Sequence, residues 1–278
     1  GYTDYQLAAL NNKNYAVPVQ SLRGEIFDRN GKVLIKNEPT YDLITRPNLI
    51  DDIDSFIEKI QPVIFLSENE ISKYKELQKE KAFVNKELVL KKDLSAEEIA
   101  RFNVRSFNFQ NAFIAKRYRR ISDHPDIFSH VLGYTSRSDD DFNSISEIPR
   151  SHWKDAELVY AHGLIKGRTG LEEIYDEHLS GRYGKRVYEM NARGQLVQSL
   201  SLTKGEQGFD LYTNLDIDAQ KSAAKFLGNR KGAVVAIDLD AGGINVLYSS
   251  PAYSINKLSN GMNEDEFQTL IDDPNTTY

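Results

Sequence analysis

The sequence predicts an α+β chain: a β-rich base interrupted by an inserted α+β head, then the first helix and strands of a further sheet. Three observations carry that expectation. Asn30-Gly31 lies between alternating apolar residues, a strong hairpin signal. Ser67-Glu-Asn-Glu70 and Ser95-Ala-Glu-Glu98 are capping-box patterns that open helices. Residues 232–238 and 243–250 form two apolar runs around a short turn at Leu239-Asp-Ala-Gly242.

In chain order, residues 1–20 are polar and mixed, ending in an extended Ala16-Val-Pro-Val19. The hairpin follows over Ser21 to Ile35, and Tyr41-Asp-Leu-Ile-Thr45 reads as another extended run. Ile50, Ile53, Phe56, Ile57 and Ile60 have helical spacing. Between the two capped helices, Ala82-Phe-Val and Glu87-Leu-Val-Leu90 read as strand, and Asn111 to Tyr118 reads as another. Residues 136–157 are polar and rich in turns, a connector. Leu171, Ile174, Tyr175 and Leu179 predict one short amphipathic helix after Gly170. Arg186 to Met190 and Gln195 to Leu200 flank Asn191-Ala-Arg-Gly194 as a second hairpin, and Lys204 to Gly208 reads as a linker. Ile217, Gln220, Ala224 and Leu227 predict a helix closed by Gly228 in a left-handed cap. The two apolar runs after it read as strands buried on both faces. Such a hairpin needs further strands and helices around it. The rest of that sheet is therefore expected outside this chain, with an open edge and with Val246 and Tyr248 exposed.

Composition narrows the function classes. A length of 278 residues suits two domains, or one domain and a piece of another. The net charge of -6 argues against wholesale nucleic-acid binding. With no cysteine, disulfides, thiol catalysis and cysteine metal sites are excluded. No apolar run reaches the roughly 18 residues of a membrane helix, and no signal peptide is present. The chain starts at Gly1 rather than methionine, so an N-terminal segment, a membrane anchor among the options, is expected to be missing.

Candidate chemistry is sparse. Five Ser-x-x-Lys spacings occur: Ser72/Lys75, Ser151/Lys154, Ser201/Lys204, Ser222/Lys225 and Ser254/Lys257. A lysine one helical turn from a serine can help to deprotonate it. These are common residues at a loose spacing, and no Lys-Thr-Gly accompanies them; Arg168-Thr-Gly170 is the nearest string. The histidines, His124, His130, His152, His162 and His178, lack the spacing of a zinc helix, so no metal is expected. Gly167-Arg-Thr-Gly170 before a helix could hold an anion, or simply be a tight turn. Lys116-Arg-Tyr-Arg-Arg120 is a basic cluster, read first as a solvated strand end. Arg23, Asp28 and Arg29, on a hairpin that also buries Ile26 and Phe27, must be solvated or paired.

Four strings, in their order, resemble the class B high-molecular-weight penicillin-binding proteins, and within them the elongation type, penicillin-binding protein 2. These are Arg23-Gly-Glu-Ile-Phe-Asp-Arg-Asn-Gly31 and Arg117-Tyr118 with His130-Val-Leu-Gly-Tyr134. Gly167-Arg-Thr-Gly-Leu-Glu-Glu-Ile-Tyr175 comes next, with Leu179-Ser-Gly181 and Asn191-Ala-Arg-Gly194. The last comprises residues 232–238, Ser249-Ser-Pro-Ala-Tyr253, Asn260-Gly-Met262 and Asp273-Pro-Asn275. Arg119 and Arg120 stand where the family usually has a proline soon after its Arg-Tyr.

The resemblance implies a parent serine enzyme that cross-links peptidoglycan stem peptides in the periplasm and is acylated by penicillin. Its nucleophile lies beyond an Asp-Pro-Asn like this one, so no catalytic, cofactor or metal residue is expected in this chain. The resemblance assigns residues 1–46 and 158–205 to a pedestal base, 47–157 to a head insert with connectors, and 206–278 to the start of a transpeptidase domain. It marks Arg23, Gly24, Asp28, Arg29, Gly31, Arg117, His130, Gly133, Gly170, Glu172, Tyr175 and Gly194 as structural motif residues. An ion-pair network through Arg23, Asp28 and Arg29 would hold the two parts of the base. The implied partners are a SEDS-type membrane glycosyltransferase and an MreC-type scaffold protein. Peptidoglycan and β-lactams would bind the missing domain, and the parent would span the bacterial inner membrane once. A stand-alone periplasmic protein-binding module with no enzyme attached is the competing reading.

Overall fold

The computed structural model describes residues 13–19, 21–79, 87–137, 165–182, 184–190 and 196–259. The elements in chain order are β1 (Lys13–Val19), β2 (Ile26–Phe27), β3 (Val33–Thr45), α1 (Ile53–Ile60), α2 (Glu68–Lys79), β4 (Leu88–Lys91), α3 (Ala96–Arg105) and β5 (Ala112–Ile121). Next come α4 (Ser129–Leu132), β6 (Thr135–Arg137), β7 (Ile165–Gly167), α5 (Gly170–Ile174), α6 (Asp176–Ser180), β8 (Gly184–Met190) and β9 (Leu196–Thr203). The series closes with β10 (Leu211–Tyr212), α7 (Ile217–Leu227), β11 (Gly232–Ile237), β12 (Ile244–Ser250) and α8 (Ile255–Ser259). The fold is mixed α+β. Strands order as β1-β8-β9, as β10-β2-β3-β4 with β5 also on β3, and as the pairs β11-β12 and β6-β7.

The chain forms two compact units. The first takes residues 1–15, 39–118 and 187–200. Its helices start where short polar side chains replace missing backbone acceptors. Asp52 accepts the amides of Asp54 and Ser55 at the head of α1, and Ser95 and Glu98 close a reciprocal capping box on α3. Ser67 and Glu70 make the same exchange before α2. The buried faces of these helices meet through aromatics: Phe109 takes Phe56 edge-on at 6.1 Å and stacks on Phe102 at 5.9 Å. Antiparallel pairing sets Ile44 opposite Val89 and Thr45 opposite Leu88. The Tyr74 hydroxyl is 2.8 Å from Thr45 Oγ1, which satisfies both buried groups.

The second unit takes residues 16–38, 119–186 and 201–278. Its main core gathers Ile26, Leu34, Ile35, Phe128, Leu132 and Leu179 with Leu215, Ile217 and Tyr253. Asn30-Gly31 does turn the chain between β2 and β3, with Gly31 at φ +77°. β10 then adds to β2 in parallel. A smaller cluster sets Ala223 of α7 against Val246 and Tyr248 of β12.

Several expectations change. Residues 41–45 are not a separate run; they complete a single 13-residue strand, β3. The helix after Gly170 is two short helices broken at Tyr175 (φ -103°, ψ 23°), and Ile174 is 74% exposed, so the amphipathic reading fails. The buried side chain of α5 is Glu172, an acid that a hydrophobic pattern counts as surface. Residues 204–208 are not a free linker: Arg182 and Glu206 exchange backbone bonds, and the Gly208 amide donates to the Leu22 carbonyl at 2.9 Å. Gly228 has positive φ, but its ψ of -129° lies outside the left-handed helical region.

The last two strands reverse the expected exposure. Val246 and Tyr248 are buried, whereas Val235 and Ile237 are more than half exposed. Side chains alternate along a strand, and α7 covers only the face to which Val234, Val246 and Tyr248 belong. Ala82-Phe-Val, most of residues 136–157, the Asn191 to Gly194 turn, Asn260-Gly-Met262 and Asp273-Pro-Asn275 fall outside the described residues.

Candidate functional site

The densest polar constellation lies inside the second unit. Arg23 precedes β2, Arg120 is next to last in β5, and Glu172 sits in α5; all three are at most 2% exposed. Arg23 Nε donates to Glu172 Oε2 at 2.6 Å, and its Nη2 donates to the Glu172 carbonyl at 2.8 Å. Its remaining nitrogen, Nη1, reaches Asp176 Oδ1 at 2.7 Å. Arg120 grips the other oxygen, Glu172 Oε1, through Nε at 2.9 Å and Nη2 at 2.7 Å. Asn37 links the two arginines: its Oδ1 accepts from Arg120 Nη1 at 3.1 Å, and its amide donates to the Arg23 carbonyl at 2.7 Å. The break at Tyr175 makes this possible, because it sets Asp176 at the start of a new helix beside Arg23 while Glu172 faces inward.

Two guanidinium groups face two carboxylates, so the buried charge is balanced. Burial alone would raise the Glu172 carboxyl, but Arg120 and Arg23 outweigh it and hold the group below the usual carboxylate range. The two arginines shift in opposite directions. Burial lowers both; Glu172 and Asp176 together carry Arg23 upward, whereas for Arg120 burial and repulsion by Arg23 outweigh the attraction of Glu172 and Glu25, so it stays lowered. Each charged side chain of this cluster is held by another of opposite sign. It is a clasp joining three segments far apart in sequence.

The other predicted residues divide. Asp28 is fully buried but serves the backbone: Oδ1 accepts the amides of Asn30 and Lys32, each at 2.8 Å, and Oδ2 meets the Ile217 amide at 3.4 Å. Arg29 points outward, 3.7 Å from Asp238. The expected network therefore takes in Arg23 and leaves out Asp28 and Arg29. Gly24 lies against the Phe209 carbonyl. Gly133 and Gly170 meet backbone to backbone, both at positive φ, and a Cβ on Gly133 would lie 1.9 Å from the Thr169 carbonyl oxygen. His130 Nε2 is 2.9 Å from the Pro251 carbonyl, and its ring meets Tyr253 edge-on at 5.0 Å. Tyr175 is part-exposed at the helix break, Arg117 is half-buried on β5, and Gly194 lies outside the described residues.

Sequence reasoning missed Arg120 and Asn37, and it placed Gln220 in a helical pattern without giving it a role. The cluster at residues 116–120 is not wholly solvated: Lys116 is exposed, but Arg120 is buried and Arg119 pairs with Glu38. Alternation alone does not single out Arg120, because it puts the exposed Lys116 on the same face of β5. Gln220 is buried on α7; its amide donates to the carbonyls of Leu247 at 2.7 Å and Ile127 at 3.1 Å, and its oxygen accepts the Leu247 amide at 2.9 Å. Its place in the apolar pattern of the helix was the trace it left in the sequence.

Nothing resembling a nucleophile emerges from the described Ser-x-x-Lys pairs. Ser222 and Lys225 are both exposed, and Ser222 Oγ bonds back to the Asp218 carbonyl. Lys75 is paired with Asp54. Ser151/Lys154 is outside the described residues. At Gly167-Arg-Thr-Gly170 the Gly167 amide is already taken by Asp176 Oδ1, so the string is a packed turn. Among the described residues no group of acidic or histidine side chains could hold a metal ion, and no helix is long and apolar enough to cross a membrane.

Comparison with known proteins agrees with this architecture. Residues 18–213 match the Penicillin-binding Protein dimerisation domain. The peptidoglycan D,D-transpeptidase MrdA of Escherichia coli K12 is 29% identical over 277 residues, covering 99% of this chain and 42% of that protein. MrdA of Acinetobacter baumannii is 30% identical over 272 residues, covering 98% of the chain and 39% of that protein. The chain thus spans about two fifths of the length of these curated relatives. Among solved structures, a penicillin-binding protein (PBP2) of Helicobacter pylori in complex with MreC aligns with TM-score 0.74 at 24% identity, covering 94% of this chain and 47% of that one. With the family match over most of its length, this chain belongs to the dimerisation-domain family of the class B penicillin-binding proteins and resembles the MrdA type.

Proposed function

We propose that this chain is the non-catalytic pedestal portion of an elongation-type peptidoglycan D,D-transpeptidase. One observation carries the reading: essentially the whole chain aligns with D,D-transpeptidases more than twice its length. The outward side chains of β11, Val235 and Ile237, are more than half exposed and support it, because an apolar sheet face is normally covered in a complete domain. On this reading residues 1–46 and 158–205 form the base, 47–157 the head and connectors, and 206–278 the opening of the transpeptidase domain. The clasp of Arg23, Arg120, Glu172 and Asp176 would hold the returning chain to the outgoing hairpin. It would then act as a rigid support rather than as a reactive site. Arg23, Gly24, Asp28, Arg29, Gly31, Arg117, His130, Gly133, Gly170, Glu172, Tyr175 and Gly194 would serve that scaffold.

The proposed setting is the periplasmic side of the inner membrane, reached through an N-terminal membrane helix of the parent protein. An MreC-type scaffold is the favoured partner, since the Helicobacter pylori PBP2 that shares the fold was solved with MreC. A SEDS-type glycosyltransferase is the second. Labelled penicillin and an antibody to this chain, applied together to membranes of the source cell, test the reading. A labelled band much larger than a 278-residue chain is expected. An unlabelled band of this chain's own size would mean a stand-alone binding module and overturn the enzyme.

A further inference from the structure

β9 ends its sheet: the strands order as β1-β8-β9, and among the described residues no strand pairs with its outer edge. It is 8 residues long, Leu196-Val-Gln-Ser-Leu-Ser-Leu-Thr203. Charge and proline are what usually keep an edge strand from pairing with another chain, and β9 has neither. Neither face of its second half is covered. Ser199, Leu200, Ser201, Leu202 and Thr203 are all exposed, the two leucines at 48% each. Side chains alternate along a strand, so Leu200 and Leu202 share one face while Ser199, Ser201 and Thr203 share the other.

The sequence of this edge is its own complement. Laid antiparallel to a second copy with Ser201 opposite Ser201, it sets Leu200 opposite Leu202 and Ser199 opposite Thr203. Each of these cross-strand pairs is apolar with apolar or hydroxyl with hydroxyl, as a stable antiparallel ladder requires. No charge meets a like charge. Lys204, the first charged residue after the strand, falls opposite residue 198, a glutamine. The same lack of charge argues against other occupants. An acidic or basic segment of a partner protein, or an anionic lipid surface, would find no countercharge on β9. A two-fold pairing also closes on itself, because it uses the open edge of both copies.

We propose that β9 pairs antiparallel with β9 of a second copy of this chain, about a two-fold axis at Ser201. Two three-stranded sheets become one continuous sheet, and the leucines of both copies cover one another on one face. The pairing concerns β9 alone and stands whether or not the chain is part of a transpeptidase.

The chain has no cysteine, so a single introduced thiol can cross-link only to the same position of another copy. Residues directly opposed on antiparallel strands have Cα atoms about 4.5–5.5 Å apart, within disulfide reach. Thr203 would lie about 13 Å or more from its own counterpart. Under mild oxidation of the purified full chain, Ser201→Cys is expected to give a disulfide-linked dimer on a non-reducing gel. Ser199→Cys and Thr203→Cys should each stay unlinked alone and cross-link when mixed. Sedimentation velocity of the unsubstituted chain should show a dimer that grows with concentration. Ser201→Lys sets two cations face to face and should raise the Kd of that dimer at least about tenfold, without lowering the thermal melt of the dilute chain. Ser201→Glu should do the same, and an equal mixture of the two variants should pair again. Should Ser201→Lys fail to fold, Ser201→Glu and the cysteine pattern carry the same expectation. A chain monomeric at every concentration, equal cross-linking at 199, 201 and 203, or a dimer indifferent to both charge substitutions would overturn the proposal. So would Ser201→Cys cross-linking in the source cell to a different protein and never to itself, which would assign the edge to a partner's strand.

Discussion

Arg120 places two of its nitrogens on Glu172 Oε1 while Arg23 takes Oε2, so one buried carboxylate joins residues 149 and 52 positions away in sequence. Removing that carboxylate would leave two guanidinium groups buried, with Asp176 paired to Arg23 and Arg120 without its ion-pair partner. Glu172→Gln is expected to lower the unfolding free energy by about 3–5 kcal/mol, measured by urea denaturation. Arg29→Ala, which breaks a part-exposed pair at 3.7 Å, should cost less than about 1 kcal/mol.

The same carboxylate sets an acid dependence. Its pKa in the folded chain lies below the ordinary value because Arg120 and Arg23 outweigh burial. The unfolded value is about 4.3. Ionised Glu172 therefore favours the folded state at neutral pH. That contribution is lost as pH falls from about 4.3 through the folded value. Urea midpoints followed downward from pH 7 should fall less steeply for Glu172→Gln than for the unsubstituted chain. Parallel slopes would remove Glu172 as the titrating group.

Tyr74 gives the alkaline counterpart in the first unit. Burial pushes its hydroxyl up to about 12, against a smaller lowering by the bond to Thr45. Folding thus favours the protonated phenol, and stability is expected to fall as pH rises from about 10 toward 12. Tyr74→Phe removes that loss. Its chemical-denaturation midpoint should lie below the parent's near pH 7, because Thr45 loses a buried partner, and should change less between pH 9 and 11.

Gly133→Ala and Gly170→Ala test the backbone contact behind the clasp. Each would put a Cβ on a residue with positive φ and less than 3 Å from backbone atoms. Loss of at least about 2 kcal/mol is expected for either, seen as an earlier thermal melt. Gly31→Ala has the same φ problem but open space around it, and should cost less.

What could be read directly were the local features. The turn at Asn30-Gly31 and the capping boxes at Ser67 and Ser95 depend on a few adjacent residues, and the structure contains all three. The α7 pattern was likewise legible, even including the inward Gln220. The order of the motif strings also pointed to the family. Pairing across the chain was decided elsewhere. That Arg120 rather than its neighbours meets Glu172 depends on which face of β5 turns inward. The exposure of Val235 and burial of Val246 depend on where α7 lands. Alternation makes a strand two-faced but does not say which face is covered. A buried acid looks like a surface acid until its partners, contributed by distant segments, are brought beside it by the tertiary structure.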